Sequence, residues 1–255
     1  SVMTSRLPLS NVYLVSEYDG NDDIVLKDPT SIGRPLSTEG ESLSVSFNGQ
    51  AHINTRVKRF GKSSVQFVAT ADNLEATTVP DSFQFEDGDF TIEAYIRQDT
   101  TGVGDNSIFT IYDDSTNYLE FKFAAANALS ITSRRGGASI TALGGPEAGR
   151  TTSNYAPREF MHVAASFDNQ AQKMRLFRNG NLIQNVTFAA SNNSFTSNVV
   201  IGENLTGYMD ELRISDSARY KAAFTPSNQR LAPDNDTISL FHFDGANKTT
   251  QATDD

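Results

Sequence analysis

The chain contains no cysteine and no tryptophan among its 255 residues. Without thiols there can be no disulfide framework, no thiolate nucleophile and no Cys-ligated zinc, so stability has to come from a core. Basic residues are scarce as well: 21 Lys and Arg stand against 31 Asp and Glu, for a formal charge of −10. They never gather beyond pairs such as Lys58-Arg59 and Arg134-Arg135. Duplex DNA and RNA binders need a basic footprint against phosphate, so nucleic acid is not expected as a partner. No apolar stretch approaches the roughly 20 residues of a membrane span, and Ser1 onward lacks the basic-then-apolar profile of a secretory signal. The chain is therefore expected to be soluble and not inserted in a membrane, a reading compatible with a signal removed earlier.

What is present is enough to fold. Hydrophobic residues make up 38% of the chain, with 17 Phe, too much apolar mass for a disordered segment. The apolar residues recur with period two, as in Phe90-Thr91-Ile92-Glu93-Ala94-Tyr95-Ile96-Arg97, where Phe90, Ile92, Ala94 and Ile96 share one face of a strand. Similar runs lie at 63–68, 107–112, 118–123, 160–167, 174–177, 198–201, 208–214 and 237–243. Many short strands predict an all-β antiparallel sandwich or barrel. Asn179-Gly180 between two such runs predicts a two-residue hairpin. Stretches 100–106 and 134–154, rich in Gly, Ser and Thr, read as long loops, where binding residues concentrate on β scaffolds. One helical turn is expected at 217–224, stopped by Pro226. The run from Val12 into Asp19-Gly20 echoes the run from Ile238 into Asp244-Gly245, which fits first and last strands side by side or a tandem array, the former preferred.

From about Ala51 to Gly245 the order of segments resembles the laminin-G-like, concanavalin-A-like jelly rolls found in bacteriophage virion proteins and bacterial surface proteins. The pieces are the opening strand at 53–67, Gly88-Asp89-Phe90-Thr91-Ile92-Glu93, Phe160-Met161-His162-Val163-Ala164, Gly207-Tyr208-Met209-Asp210-Glu211-Leu212, and the closing Tyr220-Lys221-Ala222-Ala223-Phe224-Thr225-Pro226. The resemblance implies an N-terminal arm and first strand over 1–50, the jelly-roll domain over 51–245 and a polar tail over 246–255. It also implies a structural calcium ion held by Asp210 together with Asp72 from the opening loop. The family's usual Asp-Gly after the opening strand is Val68-Ala69 here, which favours instead an acidic strand end paired with Arg213 or Arg175.

Other chemistry finds no support in the residues. Asp19-Gly20-Asn21-Asp22-Asp23 departs from a calcium loop, having Ile24 and Thr30 where Gly and Glu are needed. His52, His162 and His242 have no ligand spacing. The acid pair of the glucanases that share this architecture is missing as a motif, and Asp210 and Glu211, being adjacent on a strand, should face opposite ways. A non-catalytic role follows. Tyr112, Tyr118, Tyr155 and Tyr208 are the candidates for stacking on sugar rings, with core or rim packing as the alternative for each. The leading expectation is a virion-surface or tail protein of a bacteriophage, a homo-oligomer on the particle that contacts other virion proteins and host glycans. The second is a secreted or surface-anchored bacterial carbohydrate-binding module.

Overall fold

The structure, a computed structural model, describes residues 43, 45–77, 79–99, 105–145, 159–189 and 193–248. Fifteen strands occur in this part: β1 (Ser46–Asn48), β2 (His52–Asn54), β3 (Ser64–Phe67), β4 (Asn73–Ala76), β5 (Phe90–Gln98), β6 (Asn106–Asp114), β7 (Asn117–Phe123), β8 (Leu129–Arg135), β9 (Ala138–Gly144), β10 (Met161–Asp168), β11 (Lys173–Arg178), β12 (Asn181–Thr187), β13 (Asn198–Ile201), β14 (Gly207–Ser215) and β15 (Thr237–Phe241). They form a seven-stranded sheet in the order β1-β4-β13-β6-β7-β8-β9 and an eight-stranded sheet in the order β12-β11-β10-β5-β14-β3-β2, with β15 beside β14. Every pairing is antiparallel. The expected all-β sandwich is what folds.

Alternation places the core. Phe90, Ile92, Ala94 and Ile96 of β5 are fully buried between the sheets, as are Phe109 and Ile111 of β6, Leu119 and Phe121 of β7, and Val163, Ala165 and Phe167 of β10. Phenylalanine takes the place of the absent tryptophan and disulfide. The rings of Phe85, Phe90, Phe167 and Phe188 stack in a row with centroid spacings of 4.5, 4.9 and 4.2 Å. Burying each such side chain contributes about 1.5–3 kcal/mol, and offset stacking adds to that. Leu43 and Val45 join this core and β1 pairs with β4, so the sandwich begins inside the 1–50 segment. The rest of the arm, residues 1–42, lies outside the described residues, as does the Val12 half of the internal echo.

The Asn179-Gly180 hairpin forms as expected: Arg178 pairs with Asn181, and the two turn residues have φ of 48° and 79°. Three expectations need correction. Residues 217–224 form bends and extended chain instead of a helical turn. Their polar groups find tertiary partners, with Arg219 N donating to Thr91 Oγ1 (3.0 Å) and Phe224 N to Gly180 O (2.9 Å), which removes the drive for local helical bonds. The 134–154 segment is no single loop, since β8 turns through Gly136-Gly137, both at positive φ, into β9. β9 is an edge strand with alternate residues exposed, and its two large apolar residues, Ile140 and Leu143, are three apart and fall on opposite faces, so it carries no period-two apolar signal. The opening piece at 53–67 is two short strands, β2 and β3, joined by bends.

One edge of β14 is divided. Residues 207–209 pair with β3, whereas 212–215 pair with β15. The handover sits at a bulge where Glu211 has φ of 53°. The bulge breaks the alternation that predicted opposite faces for Asp210 and Glu211.

Candidate functional site

The outer faces of the two sheets differ. Over the eight-stranded sheet runs residues 216–236, a strap whose Tyr220 and Phe224 rings stack at 3.7 Å and pack edge-on against Phe177 and His162. Tyr95 Oη donates to Ser227 O (2.5 Å) and Tyr220 Oη to Glu93 Oε2 (2.7 Å), which ties the strap down. Beneath it Glu93, wholly buried, accepts from Arg213 Nε (2.9 Å) and Nη2 (2.7 Å) and lies 2.9 Å from His162 Nε2. Burial alone would raise the Glu93 carboxyl, but the His162 hydrogen bond and the Arg213 charge outweigh it and hold the group at about 2. Beneath the strap this face is a covered, internally compensated charge cluster.

The outer face of the seven-stranded sheet is bare of any such strap among the described residues. Its side chains run in cross-strand rows fixed by register. Asn198, Tyr112, Tyr118, Arg134 and Ser139 make one row across β13, β6, β7, β8 and β9. Val200, Thr110, Glu120, Thr132 and Thr141 make the next. Tyr112 and Tyr118 stack with ring centroids 6.3 Å apart and planes 25° apart, and Tyr112 is 42% exposed. Around them are polar groups: Lys122 Nζ meets Glu120 (2.8 Å) and Asp105 (3.0 Å), and Thr132 and Thr141 hydroxyls lie 3.0 Å apart. Flat aromatic faces flanked by short hydroxyls and charges suit the alternating apolar and hydroxyl-bearing sides of a pyranose.

The four tyrosine candidates are thus divided. Tyr112 and Tyr118 come together on the open face. Tyr208 lies on the eight-stranded sheet, buried at 7% exposure beneath the Arg97 guanidinium 4.8 Å from its ring centroid. Tyr155 lies outside the described residues. Arg134 stands out in the sequence only as half of a basic pair opening a Gly- and Ser-rich stretch, and the strand pairing is what reveals Tyr118 as its neighbour.

The acidic candidates are not brought together either. Asp72 accepts from Gln50 N (2.7 Å) on Oδ1 and from Val68 N (2.6 Å) and Ala69 N (2.9 Å) on Oδ2. Asp210 Oδ2 accepts from Arg59 N (2.8 Å) and Phe60 N (2.9 Å). The first set closes the turn after β3 and the second the chain before it, so the two carboxylates lie at opposite ends of that strand. Both serve as clasps for backbone amides, and they do not fit a shared calcium site. Among the described residues no three His, Asp or Glu side chains gather in a way that could hold a metal. The expected partners also differ: Arg213 pairs with Glu93, and Arg175 with Asp168 at 3.1 Å.

At the β14 bulge both acids are buried. Glu211 accepts from Leu231 N (2.7 Å) and lies 2.7 Å from His242 Nδ1. Burial drives the Asp210 carboxyl up, the Phe60 and Arg59 amides pull it back, and the charges of Glu211 and Asp244 add to the rise, leaving it at about 7. Among the described residues Asp210 Oδ1 has no hydrogen-bond partner.

Residues 68–223 match the Laminin_G_3 family, described as the Concanavalin A-like lectin/glucanases superfamily. No curated protein matches the chain in sequence. Among solved structures it is similar to the binding domain of botulinum neurotoxin serotype C1, at 13% identity and a TM-score of 0.55 over 78% of this chain and 49% of that one. The binding domain of botulinum neurotoxin DC in complex with SialylT matches at 14% identity and a TM-score of 0.56, over 78% and 48%. Domain 4 of AbnA, a GH43 extracellular arabinanase from Geobacillus stearothermophilus, in complex with arabinotriose, matches at 14% identity and a TM-score of 0.51, over 77% and 94%. The chain spans about half the length of the neurotoxin binding domains and nearly all of the arabinanase domain. At these identities the likeness is one of fold.

Proposed function

We propose that this chain, which belongs to the Concanavalin A-like lectin/glucanases superfamily, is a non-catalytic carbohydrate-binding module that holds saccharide on the open face of its seven-stranded sheet. The observation that carries the reading is the stacked, solvent-facing pair Tyr112 and Tyr118 among hydroxyls and charges, set against an opposite face whose charge cluster lies under the 216–236 strap. Two of the similar solved structures are complexes with SialylT and with arabinotriose, and this supports sugar as the ligand class. The order of segments resembles that of phage virion proteins, which would make a particle the setting. A toxin binding domain and an extracellular arabinanase domain favour a secreted or cell-surface setting, and we give that setting precedence. Within this reading residues 51–245 belong to the module and residues 1–50 supply its first strand and a tether.

A glycan array with the full chain tests the proposal. Selective binding to a saccharide group is expected, and Tyr112→Ala with Tyr118→Ala should weaken it by roughly 10- to 100-fold, since each stacked ring contributes about 0.5–1.5 kcal/mol beyond its buried area. Absence of binding to any saccharide, or binding indifferent to both substitutions, would overturn it.

A further inference from the structure

We infer that the saccharide carries a carboxylate and that Arg134 receives it, an inference that rests on the reading of Tyr112 and Tyr118 as the sugar platform. The charges around the platform settle their own accounts except one. Lys122 is held by Glu120 and Asp105. Arg135 lies 3.7 Å from Asp113, and its guanidinium sits 5.0 Å from the Phe195 ring centroid. Asp114, at the β6–β7 turn, accepts from Thr116 N and Oγ1 and from Asn117 Nδ2. Arg134 has neither an ion pair nor a hydrogen bond among the described residues, and its Nε is buried without a partner.

That isolation is unlike the arginines of the covered face. Arg213 lies on Glu93, Arg219 on Asp234 and Arg175 on Asp168. The two Nη groups of Arg134 are not buried and meet no acceptor among the described residues, so they are open to one delivered by a ligand. The planar fork of Arg matches a carboxylate through two parallel hydrogen bonds.

Placement fits the size of one sugar. Tyr118 and Arg134 are direct cross-strand partners, and Ser139, exposed on β9, is next in the row. Cross-strand partners on one face stand about 5 Å apart, so a pyranose lying on Tyr118 would carry a ring carboxylate to Arg134. Asp114 lies in the opposite direction, toward the turn beyond Tyr112, so it does not oppose the anion. One uncompensated cation beside the platform among the described residues, in a chain of charge −10, suits one carboxylate per bound ring, as in a uronic or sialic acid, and disfavours a sulphated polyanion.

The test compares full-chain affinities by calorimetry in two arms at physiological salt: sialyllactose against lactose, and trigalacturonate against its methyl ester. In one arm the acid should bind about 10-fold or more tightly than its neutral counterpart, the strength of a charge-assisted pair. Arg134→Ala should bring the two within about 2-fold, and Arg134→Lys should retain part of the preference, because charge survives and the fork does not. An unchanged thermal midpoint in both variants separates lost contact from lost fold. Equal affinity for acid and neutral forms, or an acid preference that persists in Arg134→Ala, would overturn the inference while Tyr-dependent binding of neutral sugar left the platform standing. No saccharide binding in either arm would overturn the platform and the inference together.

Discussion

The two outer faces of the sandwich are built from the same strand alternation but treat polar residues in opposite ways. On the eight-stranded sheet Glu93, His162 and Arg213 are roofed by the 216–236 strap and answer one another at 2.7–2.9 Å. On the seven-stranded sheet Tyr112 and Arg134 face outward, and Arg134 has no such answer among the described residues. A carboxylate in the first setting belongs to folding, because removing it strands a buried charge. An arginine in the second answers no carboxylate among the described residues, so its charge is left for a ligand. The comparison predicts a division of consequences: substitutions on the covered face should cost stability, and substitutions on the open face should cost binding.

The largest expected effect is Glu93→Gln. The shape is kept, but Arg213 loses its counter-charge within a covered site. Breaking a buried pair by removing one partner costs about 3–5 kcal/mol. Urea unfolding should show the midpoint falling with little change of slope. A loss under about 1 kcal/mol would mean that the strap opens readily and that the covered face is accessible after all.

A smaller effect separates two corners of the covered face by pH. Glu93 is held at about 2 against an ordinary 4.5. Its contribution to stability is present above about 4.5 and lost as pH falls through about 2. Asp210 has the opposite sign, raised to about 7 from an ordinary 3.8. The folded state favours its protonated form, so its contribution is complete below about 3.8 and is lost as pH rises through about 7. Together the two groups place maximal stability near pH 4, between the two ordinary carboxyl values, with a decline from there toward pH 7 of up to about 1.4 kcal/mol per unit. Unfolding titrations from pH 4 to 8 check this, and Asp210→Asn should flatten the decline. A slope untouched by that substitution would assign it to another group.

These differences also mark how far the sequence could be read. Period-two runs such as 90–97 carry the sandwich, because inward residues of β5 are apolar at every second position. The Asn179-Gly180 turn is legible because few residue pairs tolerate positive φ twice. Strand β9 is not legible, because Ile140 and Leu143 do not keep the period of two, and neither is the strap, whose conformation is set by Thr91 and Gly180 far away in sequence. At the site, tyrosine type made Tyr112, Tyr118 and Tyr208 equal candidates. What separates them is sheet membership and cover, and these depend on pairings between strands. Glu93 gave no hint of its charge cluster for the same reason: His162 and Arg213 are 69 and 120 residues away.

The smallest expected effect on stability is the most informative about the open face. Tyr112→Ala and Tyr118→Ala remove rings that stack on each other at 6.3 Å but fill no interior space, since the inward neighbours Ile111 and Leu119 do that. Losing the cross-strand pair should cost less than about 1 kcal/mol, a few degrees at most in thermal midpoint for a domain of this size. Core substitutions of comparable volume, such as Phe167→Ala, should cost about 3–5 kcal/mol. If the tyrosine pair proved as costly as Phe167, its rings would be structural cover for the sheet, and the contrast between a face that folds and a face that binds would fail at that point. A small loss of stability joined to a large loss of saccharide affinity is the signature that the open face is kept for a ligand.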